Sequence, residues 1–149
     1  MENAKLSETL AFLGAINPSS QAAGSAVTGW ISAANVERLL GVVQVGVFGA
    51  SATVDANIQQ AQDSSGTGAK AIGSGKAITQ MLAAGGNNLQ ATIDVRTEEL
   101  DMNNGFYYVQ LTITVGTAAT ETAGVLVGGM ARFQPASTLN ATSVSQQVG

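Results

Sequence analysis

The sequence predicts an all-β protein. The expected architecture is an antiparallel β-sandwich, with a jelly-roll-like arrangement as the near alternative. A short N-terminal helix or arm precedes it and an extended C-terminal tail follows. Three observations predict this class. Many runs alternate apolar and polar residues with period two, the signature of strands with one buried and one wet face. About seven such runs are separated by clusters of Gly, Asn and Ser, the spacing of a sandwich. Aromatic residues make up only 5% of the chain, so the core must be built from Val, Ile, Leu and Ala.

At 149 residues, one main domain is expected. The chain divides into an arm (1–24), a β-sandwich (25–134) and a tail (135–149). Leu6, Leu10 and Leu13 are spaced by four and three, which predicts a short helix from Leu6 to Leu13, with Ser7 and Glu8 at its start. Such a helix is too short to stand alone and must dock on something. Asn17-Pro18-Ser19-Ser20 stops it. Gln21 to Gly24 reads as an extended arm or loop. The segment covers either one end of its own domain or a neighbouring subunit.

The strand candidates follow in order. Ser25–Ser32 carries Val27 and Ile31 around Trp30, and Leu39–Phe48 places Val43, Val45 and Val47 on one face. In Thr53–Ala61, Val54, Ala56 and Ile58 alternate with Asp55, Asn57 and Gln59. Lys76–Leu82 is a weaker candidate. Gln90–Arg96 sets Ala91, Ile93 and Val95 against Thr92, Asp94 and Arg96. Tyr107–Val115 is the clearest, with Tyr107, Val109, Leu111, Ile113 and Val115 facing one way and Tyr108, Gln110, Thr112 and Thr114 the other. Ala123–Phe133 closes the set. Gly116 to Thr120 is expected to join the last two strands as a hairpin. Loops at Asp63–Gly68 and Ala84–Asn88 are small and polar, and the stretch after Pro135 is rich in Ser, Thr, Asn and Gln.

Composition narrows the chemistry. The chain has no histidine and no cysteine, and only 11% of its residues are charged. Those absences remove the commonest general base, thiolate chemistry, and any zinc site built from Cys and His. The net charge is −4, and the six basic residues are scattered, so no basic stripe exists to track phosphates. Direct nucleic-acid binding is not expected. No apolar run approaches the ~18 residues of a membrane span. The first residues also lack the charged and apolar regions of a signal peptide, so no secretion through a cleaved signal is expected.

Four motifs invite a chemical reading. Gly73-Ser74-Gly75-Lys76 suggests a phosphate loop. It fails because Lys70 stands where the first Gly belongs and Ala77 where Ser or Thr belongs. Glu98, Glu99 and Asp101 form the one carboxylate cluster, read as an acidic turn before Asn103-Asn104-Gly105, with Ca²⁺ binding or glycoside hydrolysis as rivals. Trp30 and Tyr107 are expected as core anchors, with Tyr108 on the surface. Asn140-Ala141-Thr142 matches a glycosylation acceptor, which is idle without secretion. The chain is therefore expected not to be an enzyme, and to need no metal and no cofactor.

Two stretches carry a resemblance: Val54-Asp55-Ala56-Asn57-Ile58-Gln59-Gln60-Ala61-Gln62-Asp63-Ser64-Ser65-Gly66-Thr67-Gly68, and Asn104-Gly105-Phe106-Tyr107-Tyr108-Val109-Gln110-Leu111-Thr112-Ile113-Thr114-Val115-Gly116. They resemble small β-sandwich virion proteins of tailed bacteriophages, of the head decoration, cement or minor head type. The similarity spans roughly Trp30 to Arg132. It implies a structural virion protein, assembled in the host cytoplasm, that binds the outside of a phage capsid and reinforces it. Its implied partners are the major capsid protein and copies of itself in a homo-oligomer. A head-tail connector or tail component is the alternative within that class. A carbohydrate- or receptor-binding module, or a hydrolase using Glu98, Glu99 or Asp101, are alternatives outside it. The residues expected at interfaces are Leu6, Leu10, Phe12, Leu13 and Tyr108.

Overall fold

The structure, a computed structural model, describes residues 3–148. A single helical turn, α1 (Leu6–Thr9), leads into ten strands. They are β1 (Leu10–Gln21), β2 (Gly24–Val27), β3 (Ile31–Ser32), β4 (Arg38–Val45), β5 (Thr53–Ala61), β6 (Lys70–Ala77), β7 (Met81–Leu82), β8 (Gln90–Arg96), β9 (Tyr108–Gly116) and β10 (Thr120–Gly129). Sheet A has the order β1-β10-β4-β8; sheet B has β2-β9-β5-β6, with β3 continuing β2 along β9 and β7 continuing β6 along β5. Every pairing is antiparallel.

Taking β2 with β3 and β6 with β7 as interrupted single strands leaves eight positions. The first pairs with the eighth, the second with the seventh, the third with the sixth and the fourth with the fifth. That is one long antiparallel hairpin rolled over on itself, the double-sheet order of a jelly roll. The expected β-sandwich is therefore present, in its jelly-roll form.

The core lies between the two inner faces. Sheet B contributes Val54, Ala56 and Ile58 from β5 and Val109, Leu111, Ile113 and Val115 from β9, all buried. Sheet A contributes Leu39, Val43 and Val45 from β4, Ile93 and Val95 from β8, and Leu126 from β10. Between these, Gly41 and Gly124 also face inward. A Cβ on Gly41 would lie 3.0 Å from Ile58 Cδ1 and 3.3 Å from Leu111 Cδ1, and one on Gly124 would lie 3.2 Å from Leu111 Cδ2. The two glycines form a hollow in sheet A that Leu111 fills.

Several local expectations change. The helix ends at Thr9, and the rest of its expected span is strand β1. Ala11, Leu13 and Ile16 point into the core because a bulge between Phe12 and Gly14 stretches the inward spacing from two to three. The evenly spaced Leu6, Leu10 and Leu13 thus fall in three surroundings: an exposed helical turn, the outer side of β1 and the core. Pro18 sits at a second bulge, between Ile16 and Ser19, on this edge strand where proline is tolerated. Ser25–Ser32 is two short strands. At the break, the Leu111 N–H donates to Thr28 Oγ1 at 3.1 Å, so a side chain replaces a ladder partner.

The last two strands do not form a hairpin. Strand β9 belongs to sheet B and β10 to sheet A, so Gly116 to Thr120 crosses between layers. Tyr107 lies outside β9 and is 39% exposed, so it is not a core anchor. Trp30 is half-buried, packed on Gly66 so closely that a Cβ there would overlap the indole. The tail carries a 3₁₀ turn at Ala136–Leu139, with Ala136 buried. It then folds back on β1. The Phe12 N–H donates to Asn140 Oδ1 at 2.8 Å, and the Ala141 N–H donates to the Phe12 carbonyl at 2.7 Å.

Candidate assembly surface

The carboxylate cluster was the place where chemistry was most plausible, and its geometry is that of a clamp. Glu98 faces Arg96 at 3.3 Å, Glu99 faces Lys76 at 2.8 Å, and Asp101 faces Lys70 at 2.5 Å. Each carboxylate is turned to its own cation. Lys70 and Lys76 lie on β6, so the crossing from β8 to β9 is tied to the edge of sheet B. Gln60 adds two bonds, donating to the Ala71 carbonyl at 2.9 Å and accepting from the Asp101 N–H at 2.8 Å. Lys70 Nζ also sits 4.0 Å from the Phe106 ring centroid. Among the described residues, no three His, Cys, Asp or Glu side chains gather closely enough to hold a metal ion.

These ties depress carboxylate pKa values. The Lys76 ammonium, helped by the Arg96 N–H, holds Glu99 below its ordinary value. Lys70 and then Asn104 do the same for Asp101. In the Asp63–Gly68 loop, the Thr67 side chain leads the groups that lower Asp63. A carboxyl whose folded pKa is depressed contributes stability that is complete above its unfolded value and lost as pH falls through the folded one. The unfolding midpoint should therefore stay level down to about pH 5 and drop progressively below about pH 4. Asp101→Asn should flatten part of that drop, as read by thermal unfolding across a pH series. An unchanged acid slope in the variant would show that the Lys70 pair has no such role.

The outer faces of the two sheets differ. On sheet B, β5 presents Asp55, Asn57 and Gln59 opposite Thr114, Thr112 and Gln110 of β9, a polar surface. On sheet A the strand registers stack apolar residues in rows. Phe12, Val127 and Leu40 form one row, and Ala15, Val125 and Val42 the next. The rows turn polar at β8, where Asp94 faces Leu40 and Thr92 faces Val42. Phe12 is 44% exposed, and with Val42, Ala123, Val125 and Val127 it lines a shallow depression of about 230 Å³. Phe12 and Ala15 are exposed and Leu40, Val42, Val125 and Val127 half-buried, so this face is apolar where the outer face of sheet B is polar.

Of the residues expected at interfaces, Phe12 lies in the apolar rows of this face, and Leu10 borders them in the next row, opposite Gly129. Leu13 is turned into the core beside Gly128 and Val36, so it is corrected from contact residue to core residue. Leu10 is half-buried next to Gly129. Tyr108 is half-buried on the outer side of sheet B, opposite Ser32 and Ala61. Leu6 is 71% exposed at the end of the sandwich where the Met130–Pro135 segment meets α1, and Phe133 is 72% exposed there. Sequence reasoning missed Leu40, Val42, Val125 and Val127. Their signal was available: Leu39-Leu40-Gly41-Val42-Val43 and Val125-Leu126-Val127 are apolar at adjacent positions, the pattern of strands covered on both faces.

No protein-family profile matches the chain, and no characterised protein aligns with it significantly in sequence. Similar folds occur among solved structures. The SPBc2 prophage-derived protein YomS is 13% identical, with 80% of this chain and 92% of that one covered at a TM-score of 0.40. A chain of Triatoma virus is 8% identical, with 89% and 68% covered at a TM-score of 0.46. A carbohydrate-binding module of the β-sandwich superfamily is 12% identical, with 86% and 58% covered at a TM-score of 0.38. These scores carry no inference about what the chain does.

Proposed function

We infer that the chain is a structural component of a phage particle, attached to the outside of the capsid and reinforcing it. The observation that carries this reading is the apolar outer face of sheet A, which spans three strands and is open in the isolated chain. An exposed apolar patch with a polar rim marks a protein-binding surface. The sequence resemblance to phage virion proteins points to the capsid protein as its partner. The chemistry of the chain agrees, since the one acidic cluster is consumed in ion pairs. Three of its six basic residues, Lys70, Lys76 and Arg96, are tied up in those pairs. A sugar-stacking role is less well supported, because the Trp30 ring leans on Gly66.

Purified protein added to assembled heads that lack it should bind in a fixed ratio to the capsid subunit. Electron cryomicroscopy should then show density on the outer shell, and the loaded heads should resist heat better. Heads that gain neither density nor heat resistance would sink the reading. Density confined to a ring at one vertex would instead identify a connector component.

A further inference from the structure

The four sheet edges are not alike. Strand β1 is bonded by the tail at Phe12, through Asn140 and Ala141, and is broken further on by two bulges, one at Pro18. Strands β2 and β3 offer only short pieces, four and two residues long. Strand β6 is interrupted where Ile58 pairs with Lys76 and Gln59 with Ala71, so Ile72–Gly75 bulge out, with Gly73 and Gly75 at positive φ. All three are common ways of blunting an edge. Strand β8 has none of them. It runs seven residues without Gly, Pro or bulge, in unbroken register with β4.

Its hydrogen-bond phase can be read from the two bonds that flank the ladder. The Val45 N–H donates to the Leu89 carbonyl at 2.9 Å, and the Thr97 N–H donates to the Glu37 carbonyl at 3.1 Å. Bonded pairs recur at every second residue of an antiparallel ladder. Ala91, Ile93 and Val95 therefore bond to β4, and the N–H and C=O groups of Gln90, Thr92 and Asp94 point out of the sheet. The Arg96 N–H is already taken by Glu99 at 2.8 Å. A groove of about 550 Å³, lined in part by Lys76, Asp94, Val95 and Arg96, leaves open space beside the lower half of this edge.

We propose that β8 pairs with β8 of a second copy of this chain, antiparallel about a two-fold axis at Ile93. The register follows from side-chain chemistry. Outward residues must meet outward residues, so the axis falls on Thr92, Ile93, Asp94 or Val95. An axis at Asp94 sets two carboxylates opposite each other. An axis at Thr92 forces Asn88, with φ 59, into the ladder. An axis at Val95 pairs only the last residues of the strand. At Ile93 the whole strand lies in register, with Thr92 opposite Asp94 and Gln90 opposite Arg96 of the second copy. The Arg96 N–H stays with Glu99, so each Gln90–Arg96 pair makes one backbone bond in place of two. A hydroxyl then meets a carboxylate, and an amide meets a guanidinium.

The axis of such a pair stands perpendicular to the sheet. Both copies therefore turn the outer face of sheet A to the same side. If that face binds the capsid, as inferred above, the dimer engages two capsid sites at once and gains from effective concentration. The dimer itself does not depend on that reading.

Sedimentation of the full chain from micromolar to millimolar concentration tests the proposal. The wild type should show a concentration-dependent dimer. Thr92→Pro should be monomeric with an unchanged unfolding midpoint, because its N–H faces away from β4 and an edge tolerates proline there. Thr92→Asp supplies a second variant should the first fold poorly: it sets a carboxylate opposite Asp94 of the second copy, and it too should be monomeric. The chain has no cysteine, so Thr92→Cys mixed with Asp94→Cys should cross-link under oxidation much faster than either alone. A wild type that stays monomeric throughout would overturn the proposal. So would a dimer that survives both variants, or a mixture that cross-links no faster than its parts. Heads added to the same samples separate the two readings. A dimer that leaves heads bare defeats capsid attachment alone, and a monomer that coats them defeats edge pairing alone.

Discussion

Leu111→Ala is expected to lower the unfolding free energy by about 4 kcal/mol, near the top of the range for buried leucine truncations. The reason lies in what surrounds the side chain. Leu111 is fully buried on β9, a central strand of sheet B, and it projects onto Gly41 and Gly124 of sheet A. Glycines have no side chain that could swing into the space it leaves. Ile58 and Ile113 already rest on the same two glycines, and β4 and β10 are held on either side by ladders, so the space closes only in part. For a chain of this size the loss corresponds to a drop in midpoint on the order of 10 °C. Chemical denaturation measures it directly. A loss below about 1 kcal/mol would show that the sheets collapse together and that the two glycines do not hold them apart.

Val125→Asp is expected to weaken attachment to assembled heads by roughly a hundredfold or more, because it places an unpaired charge at the centre of the buried patch. Val125 lies between Ala15 and Val42, so no rim residue can screen it. The fold should tolerate the change, since the side chain is on the outer face of sheet A and only half-buried. A stability loss within about 1 kcal/mol is expected from strand preference alone. The matched control is Thr112→Asp on the polar outer face of sheet B, which should bind as the wild type does. Cosedimentation with heads reads both. If Val125→Asp binds normally, the apolar face of sheet A is not the attachment surface.

The sequence announced the strands whose two faces differ most. Thr53–Ala61 and Gln90–Arg96 match β5 and β8, and the clearest alternation, Tyr107–Val115, is displaced by one residue from β9. These strands were legible because each puts aliphatic residues on one side and Asp, Gln, Asn or Thr on the other. Strand β1 was not legible as a strand, because its bulge breaks the period at Leu13 and the leucines fall at helical spacing. Strand β6 was obscured for a related reason. Ile72 to Gly75 departs from the ladder, and its glycines read as a loop. The layer change between β9 and β10 has no local signal at all, since a short connector reads the same whether its strands pair or part.

The candidate surface was half legible. Phe12, expected at an interface, lies in the apolar outer face of sheet A, while Leu13, its neighbour, packs inside. Adjacent residues of a strand face opposite sides, so a guess at a whole segment places every second residue wrongly. The valines of β4 and β10 were passed over because a continuous apolar run looks like core. Only the structure shows that half of that run has no second layer above it.

The pairing of β1 with β10 also sets when this surface can exist. Leu10 lies opposite Gly129 and Phe12 opposite Val127, so the face joins the beginning of the chain to nearly its end. At about 5–20 residues per second, a growing chain waits on the order of 6–23 s between making Phe12 and making Val127. During that time neither the row through Phe12 nor the row through Val125 is complete. A chain cut short before β10 never displays the patch, because β10 supplies the middle of both rows. Closing the roll last makes the patch a report that synthesis has passed β10.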